Sequence, residues 1–331
     1  MSVYLLQCTP DGELHDTANA EEMLAKHKRL VGAVVDIVGQ SVWDSHTHKF
    51  EFAYRVKREF KKRAVQLAAP VNVSNAFFKA LELFRIAGMS VDDRLFDNAS
   101  LPGDFIRAAI WRYGVHDWRA NSLVAPDALD DRYGLVGANP TRWSMTANMN
   151  GDITVAENRQ KIIAWLGDWR PTVYTSDLGF AIRDPMREEQ EHFPAHAAQI
   201  EFGFEILAPG GTMIVKSLNI FTQANQALLA RCTREFRAFR IVKPLTSKAD
   251  NSECYWMGWG YREAPDIVAA SYRQWSIASV VEKMTRRQCD KLIKNIRWML
   301  SGDPEVPSDE YHRMSQLVHD YFGLVIISNI S

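Results

Sequence analysis

The chain has 331 residues, 39 basic and 40 acidic side chains and a formal net charge of −1, with 47% hydrophobic residues. That balance allows a sizeable globular core and argues against a nonspecific nucleic-acid coat, which needs a positive excess. The sequence has no run of about 18 apolar residues to span a membrane and no basic, apolar start of the secretory kind. Its four cysteines (Cys8, Cys232, Cys254, Cys289) are scattered, which implies reduced thiols in a cytoplasmic or nuclear setting.

Basic residues cluster at Arg55 to Arg63, at Arg231, Arg234, Arg237 and Arg240, and along Lys283, Arg286, Arg287, Lys291, Lys294 and Arg297. Each cluster reads either as a solvated helix face or as a local phosphate track. In chain order, Ala20 to Val38 has helical apolar spacing (Met23, Leu24, Leu30, Val31, Val34, Val35) and a stop at Gly39. Residues 1–70 therefore read as a mostly helical extension. His46-Thr47-His48 reads as a polar loop: its two histidines would share a face only on a strand, and no third ligand is near. No metal site is expected.

Asn75 to Ala87 is predicted as a helix ending at Gly88. Its only lysine, Lys79, reads on its own as a surface lysine lying over apolar neighbours. Arg94 to Ala99 reads as a strand, followed by Ser100-Leu101-Pro102-Gly103-Asp104-Phe105 and a helix over Ile106 to Trp111. A strand, a tight turn and a helix start bring backbone N–H groups to a ligand, although Asp104 disfavours a pyrophosphate there. Trp118 to Ala125 is the second strand and Asp127 to Trp143 an irregular insertion. Asn150-Gly151-Asp152 turns into a helix over Val155 to Leu166, with Thr154 as N-cap and Glu157 three residues on.

Pro171 to Thr175 is a strand ending at Ser176-Asp177. Arg183 to His192 reads as a charged loop, Ala195 to Leu207 as a helix and Thr212 to Val215 as a strand. A helix over Gln223 to Glu235 and strands over Phe236 to Val242 and Cys254 to Gly258 follow. From Pro265 to Leu300 the pattern is helical. Gly302-Asp303-Pro304 breaks it before a shorter helix over 309–322. Strands alternating with helices predict an α/β, doubly wound, mostly parallel sheet. Asp177, Lys216 and Glu253 fall at or near strand ends, where open α/β sheets place their ligand crevice.

The ordered motifs carry a family resemblance. They are Asp97-Asn98-Ala99-Ser100-Leu101-Pro102-Gly103-Asp104-Phe105, Gly151-Asp152-Ile153-Thr154-Val155-Ala156-Glu157-Asn158, Ser176-Asp177-Leu178-Gly179, Pro209-Gly210-Gly211…Lys216, and Lys243-Pro244-Leu245-Thr246-Ser247-Lys248…Ser252-Glu253-Cys254-Tyr255. Together, over about Val73 to Tyr261, the chain resembles the FtsJ-like RNA 2′-O-methyltransferases, and more closely the cap-specific mRNA enzymes that turn cap-0 into cap-1, including viral ones. It departs from the pattern at Asp104, where a second glycine is usual, at Lys248, where arginine is usual, and at Cys254 after the glutamate.

The resemblance implies a Rossmann-like S-adenosylmethionine-dependent methyltransferase fold. It divides the chain into a helical extension (1–70), a methyltransferase domain (71–263) and a helical C-terminal extension (264–331). It also implies a catalytic Lys79, Asp177, Lys216 and Glu253, with Lys216 as base, Lys79 as the neighbouring cation, Asp177 orienting Lys216 and Glu253 holding Lys79. The donor would be wrapped by Asp97, Asn98, Ala99, Leu101, Pro102 and Gly103, with Asp152, Ile153 and Asp177. RNA would be met by Lys243, Ser247, Lys248 and Asn251, with Arg183, Arg187 and the Arg231 to Arg240 series as a backbone track. Trp118, Trp143 and Trp256 are available to stack on a cap base or to fill the core. The implied partners are a capped RNA 5′ end and the proteins of a replication or capping complex. The rival readings are a ribosomal or transfer RNA 2′-O-methyltransferase and a catalytically weak cap- or RNA-binding accessory subunit, the latter favoured by Asp104.

Overall fold

The computed structural model describes residues 2–5, 17–48, 52–124, 129–147, 150–263 and 277–301. Strands β1 (Ser2–Leu5), β2 (Arg94–Asn98), β3 (Asp117–Asn121), β4 (Val173–Ser176), β5 (Thr212–Ser217), β6 (Phe236–Lys243) and β7 (Cys254–Tyr261) form one seven-stranded sheet ordered β1-β6-β7-β5-β4-β2-β3. β3, β2, β4 and β5 run parallel, whereas β7 lies antiparallel between β5 and β6, and β1 pairs antiparallel with β6. A single bridge, Ala120 to Trp143, continues the sheet beyond β3.

Successive strand residues enter opposite cores, as the pleat requires. Leu95, Val173, Ile214 and Met257 join a core with Phe77, Phe78 and Phe84 of α4 (Asn75–Ala87), Phe105 of α5 (Asp104–Tyr113), and Val56 and Phe60 of α3 (Phe52–Arg63). Phe96, Tyr174, Met213, Val215 and Trp256 join the other, against α7 (Ala156–Leu166), α8 (Glu188–Ile206) and α9 (Gln223–Glu235). A sheet buried on both faces explains the apolar runs Met213-Ile214-Val215 of β5 and Tyr255-Trp256-Met257 of β7. Outside it, α1 (Ala18–Val38) lies against α10 (Ile277–Ser301) through Leu24, Cys289 and Leu292.

Several boundaries differ from expectation. β1 places a strand within the stretch read as mostly helical. His46-Thr47-His48 ends a helix, α2 (Gln40–His48), in which the Thr47 hydroxyl donates to Trp43 O at 2.9 Å. α7 is capped by Val155, not Thr154, because the Thr154 hydroxyl donates instead to Asp152 Oδ1 at 2.6 Å. α8 begins at Glu188 and carries Pro194 in its second turn, where the missing N–H removes one internal bond. Glu188, Glu189 and Glu191 suit the positive end of its dipole. The irregular insertion contains a short helix, α6 (Leu135–Ala138). Cys8, the expected helix start at Pro265, the break at 302–304 and the helix over 309–322 lie outside the described residues.

From β2 the chain crosses to β3 on one side and later to β4 on the other. The order thus reverses between β2 and β4, and the ligand crevice of such a sheet lies beyond the carboxyl ends of those two strands. Asp177 follows β4 directly, and the Ala99 to Gly103 turn follows β2.

Candidate active site

Four ionisable side chains from four separate segments meet at that point. Lys79 Nζ lies 3.0 Å from Glu253 Oε2 and 3.5 Å from Asp177 Oδ2, and Lys216 Nζ lies 3.2 Å from Asp177 Oδ1. Lys216 also donates to the Asp177 backbone carbonyl at 3.0 Å. Asp177 therefore joins both lysines, while Glu253 holds Lys79 alone. A group that sequence reasoning left without a role completes the set: the Tyr255 hydroxyl donates to Asp177 Oδ1 at 2.7 Å. The pairing of β7 with β5 sets Tyr255 opposite Lys216, so the two reach Asp177 from adjacent strands.

The local sequence explains this convergence. Ser74 caps α4 by accepting from Ala76 N at 3.0 Å, which fixes the turn that presents Lys79. Glu82, three residues on and therefore on the same face, is buried and accepts from Leu245 N at 2.8 Å, Thr246 N at 2.9 Å and the Thr246 hydroxyl. One helix thus supplies a lysine and clamps the loop that leads to Glu253.

Burial works against the charge on Lys79, but Asp177 and Glu253 outweigh it and raise its pKa. Burial likewise pushes Asp177 toward neutrality. Lys216, Lys79 and the Tyr255 hydroxyl overcome that and hold it below the usual carboxylate range. Glu253 is held low against burial chiefly by Lys79. The centre is a network of paired charges with a fixed cation at Lys79.

On the β2 side the turn is built by side chains facing inward. Asn98 donates to Ser176 Oγ at 2.9 Å and accepts from Asn121 at 2.8 Å, tying the ends of β2, β3 and β4 together. Asp97 is buried and accepts from Ser100 Oγ and Thr175 Oγ1 at 2.5 and 2.6 Å; burial pushes its carboxyl up to about 7. Ile153 lies in the core. The side chains of Asp97, Asn98 and Ile153 thus shape the crevice from behind, and only their backbone is placed to face a ligand.

Leu101 and Pro102 are half-buried, Ala99 has a φ of 54°, and Gly103, at φ 107°, packs beneath Leu135. Asp152 accepts from Thr154 N and the Thr154 hydroxyl, both at Oδ1. Asp117 stands at the amino end of β3, the wrong end for this crevice, and accepts from Trp169. The crevice suits a ligand with a positive centre, since the Asp177 carboxylate is held ionised beside the turn. Asp104 does not oppose it. Its carboxylate is taken up by Arg107 at 3.1 Å, Ser74 N at 3.2 Å and the Tyr133 hydroxyl at 3.3 Å, which joins α4 to α5.

The expected RNA-facing residues divide. Lys243 is turned inward, donating to Asn251 Oδ1 at 2.5 Å, Asn251 O at 3.0 Å and Glu253 O at 2.6 Å. Burial, partly offset by Glu253, lowers its pKa to about 8. Asn251 is correspondingly engaged, so these two set the backbone that carries Glu253. Lys243, Ser247 and Asn251 all line a cavity of about 180 Å³, and Lys248 is half-buried on the same loop.

Arg183 and Arg187 are exposed on the segment after β4, beside a second cavity of about 140 Å³ lined by Lys216 and Glu253. The Arg231 to Arg240 series is a correction. Arg231 pairs with Glu201 and Arg237 with Glu263 at 3.1 Å near the opposite end of the sheet, and Arg240 stacks over Trp259, so these three are taken up by the protein itself. Trp118, Trp143 and Trp256 are buried and therefore core. Among the described residues no cluster of His, Cys, Asp or Glu could hold a metal, and no helix is long and apolar enough to cross a membrane.

A mostly parallel sheet with its charged network at the switch point defines a class of protein. The FtsJ-like methyltransferase family model matches residues 72–261, and the chain belongs to that family. A probable methyltransferase of African swine fever virus (isolate Warthog/Namibia/Wart80/1980) is 33% identical over 207 residues, 56% of this chain and 49% of that one. This chain thus spans about half the length of that viral relative. A ribosomal RNA large subunit methyltransferase E from Xanthobacter autotrophicus is 27% identical over 194 residues, covering 58% and 72% of the two chains. Among solved structures, a Plasmodium falciparum protein named as a ribosomal RNA methyltransferase superposes with a TM-score of 0.42 at 18% identity, covering 57% of this chain and 97% of that one.

Proposed function

We propose that the chain methylates the ribose 2′-hydroxyl of the first transcribed nucleotide at a cap-0 RNA end, using S-adenosylmethionine. The observation that carries this reading is the junction of Lys79, Asp177, Lys216 and Glu253 beside the switch-point crevice. S-adenosylmethionine would supply an electrophilic methyl on a sulfonium, held by the turn over Ala99 to Gly103, Asp152 and Asp177. Lys216 lines the acceptor-side cavity and would be the base, taking the proton of the ribose hydroxyl at Nζ as that oxygen receives the methyl group. Lys79, kept charged by Asp177 and Glu253, shares the Asp177 carboxylate with Lys216. Asp177 orients Lys216 through its side chain and its backbone carbonyl, and Tyr255 fixes Asp177. Alignment supplies much of the remaining acceleration.

The cap is favoured over internal RNA sites by the order of motifs and by the Lys243 to Tyr255 stretch, which resembles that of the cap-specific enzymes. In that setting the partners are a capped transcript and the proteins of a viral replication or capping complex. Ribosomal RNA methylation is the second reading, supported by the Xanthobacter relative, 72% of whose length is matched. Incubation with labelled donor and, in parallel, RNAs ending in cap-0, unmethylated guanosine cap or triphosphate and unmodified ribosomal RNA, followed by nuclease digestion, separates these readings. Label in the first transcribed nucleotide of cap-0 RNA is expected. Label only in internal riboses of ribosomal RNA selects the second reading.

A further inference from the structure

We infer that the 180 Å³ cavity between the Pro244 to Glu253 loop and α10 is the seat of a nucleobase of the acceptor RNA, with α10 as its outer wall. The inference rests on the RNA reading of the neighbouring charged network. The family match ends at residue 261, so this wall comes from outside the methyltransferase core.

Three observations point to a base. The first is continuity: Leu218, Asn251, Ser252 and Glu253 line both this cavity and the one holding Lys216, so a nucleotide whose ribose lies at Lys216 has its neighbour's base at this opening. The second is size. An apolar cavity of about 150 Å³ accepts a benzene ring, and drug-sized ligands need about 300 Å³ or more. A volume of about 180 Å³ with an open mouth therefore takes one ring system.

The third is chemistry. Phe221 offers an aromatic ring and Leu245, Val281 and Met284 aliphatic contact, while Ser247 and Gln288 offer hydrogen-bonding groups for a ring edge. Single-stranded RNA is read in this way, by bases set against aromatic planes and matched on their edges. The wall is held in place: Gln288 donates to Asp250 O at 3.1 Å and Asn295 to Asp250 Oδ2 at 2.8 Å, joining α10 to the loop that carries Glu253.

The test fills the cavity from two sides, with Met284→Trp on α10 and Ala249→Trp at the exposed rim of the loop. Binding of a 7-methylguanosine cap dinucleotide and of an uncapped adenylyl-guanosine dinucleotide is measured without donor, and the RNA KM and the donor Kd are measured separately. Both variants are expected to weaken dinucleotide binding and raise the RNA KM by about tenfold or more, equivalent to about 1.4 kcal/mol, with the donor Kd unchanged. Selective loss of the capped probe names the cap base as occupant, and loss of the uncapped probe, alone or with the capped one, names a transcript base. Wild-type binding of neither probe, or unchanged binding of both in the two variants, overturns the inference. If Met284→Trp fails to fold, Ala249→Trp decides. A wild-type chain that binds a dinucleotide yet transfers no methyl refutes the transfer reaction and leaves the base site standing.

Discussion

A Cβ at Gly179 would lie 2.6 Å from Lys216 Nζ and 3.3 Å from its Cε, and would touch nothing else within 4 Å. The obstacle is the free end of a flexible side chain, so Gly179→Ala displaces the Lys216 ammonium, the proposed base, without disturbing the fold. We expect a fall in kcat of up to about 10²-fold, the scale of an ångström-level misplacement, with the melting temperature nearly unchanged. Gly151 contrasts with it. A Cβ there would lie 1.8 Å from the Ser122 carbonyl oxygen, on a backbone with φ of 73°. Gly151→Ala is therefore expected to destabilise the fold by about 1–3 kcal/mol, read by denaturant unfolding. Lys216→Ala removes the proposed base. Single-turnover transfer should drop by about 10²–10⁴-fold, with donor binding by calorimetry retained. Loss of both together would indicate misfolding, not lost chemistry.

At the scale of elements, α8 backs β5, the strand that carries Lys216, with two buried histidines, one turn apart. His196 meets Trp256 edge-on at 4.6 Å, and Gln199 Nε2 lies 2.7 Å from both His196 Nδ1 and Lys216 O. Burial depresses His192 to about 4 and His196 to about 3. The unfolded chain then binds more protons between about pH 6.5 and 4, so stability is full above about 6.5 and falls as the pH drops. Each histidine contributes about 2 kcal/mol of loss by pH 5, at 1.36 kcal/mol per pH unit. Urea unfolding near pH 7.5 and pH 5 should therefore show a smaller pH-dependent loss for His196→Gln than for the wild type. An equal loss would mean that His196 is already charged in the folded protein. The start of α8 was hidden because Pro194 reads as a breaker and Glu188 to Glu191 as a solvated charge run. Glu189 in fact accepts from Phe221 N, Thr222 N and Asn225, a contact made more than thirty residues away. α4, by contrast, was legible from its spacing and its Gly88 stop, although only the family motifs gave Lys79 a role.

Across the whole molecule, what the sequence revealed was what local pattern encodes: the alternation of strands and helices, and the three strand ends bearing Asp177, Lys216 and Glu253. Long-range pairing was not legible. Four residues of β1 have no period of their own and are strands only because Arg240 to Lys243 offers an edge. Lys243 looks like an RNA contact until Asn251 is seen to occupy its ammonium group. The packing of α1 on α10 is of the same kind, because each helix needs the other to cover Leu24, Cys289 and Leu292. This satellite cluster is small beside the two cores that sandwich the sheet, so it should open locally before the sheet unfolds. Leu24 is 2% exposed, and Leu24→Ala should cost about 2–5 kcal/mol of local stability. Hydrogen exchange is then expected to quicken along α10 and the Asp250 loop while β2, β4 and β5 keep their protection. Uniform acceleration across the sheet would show that α1 and α10 fold as one unit with the core. Local opening would show instead that the methyltransferase core holds its charged network while the wall beside it can part.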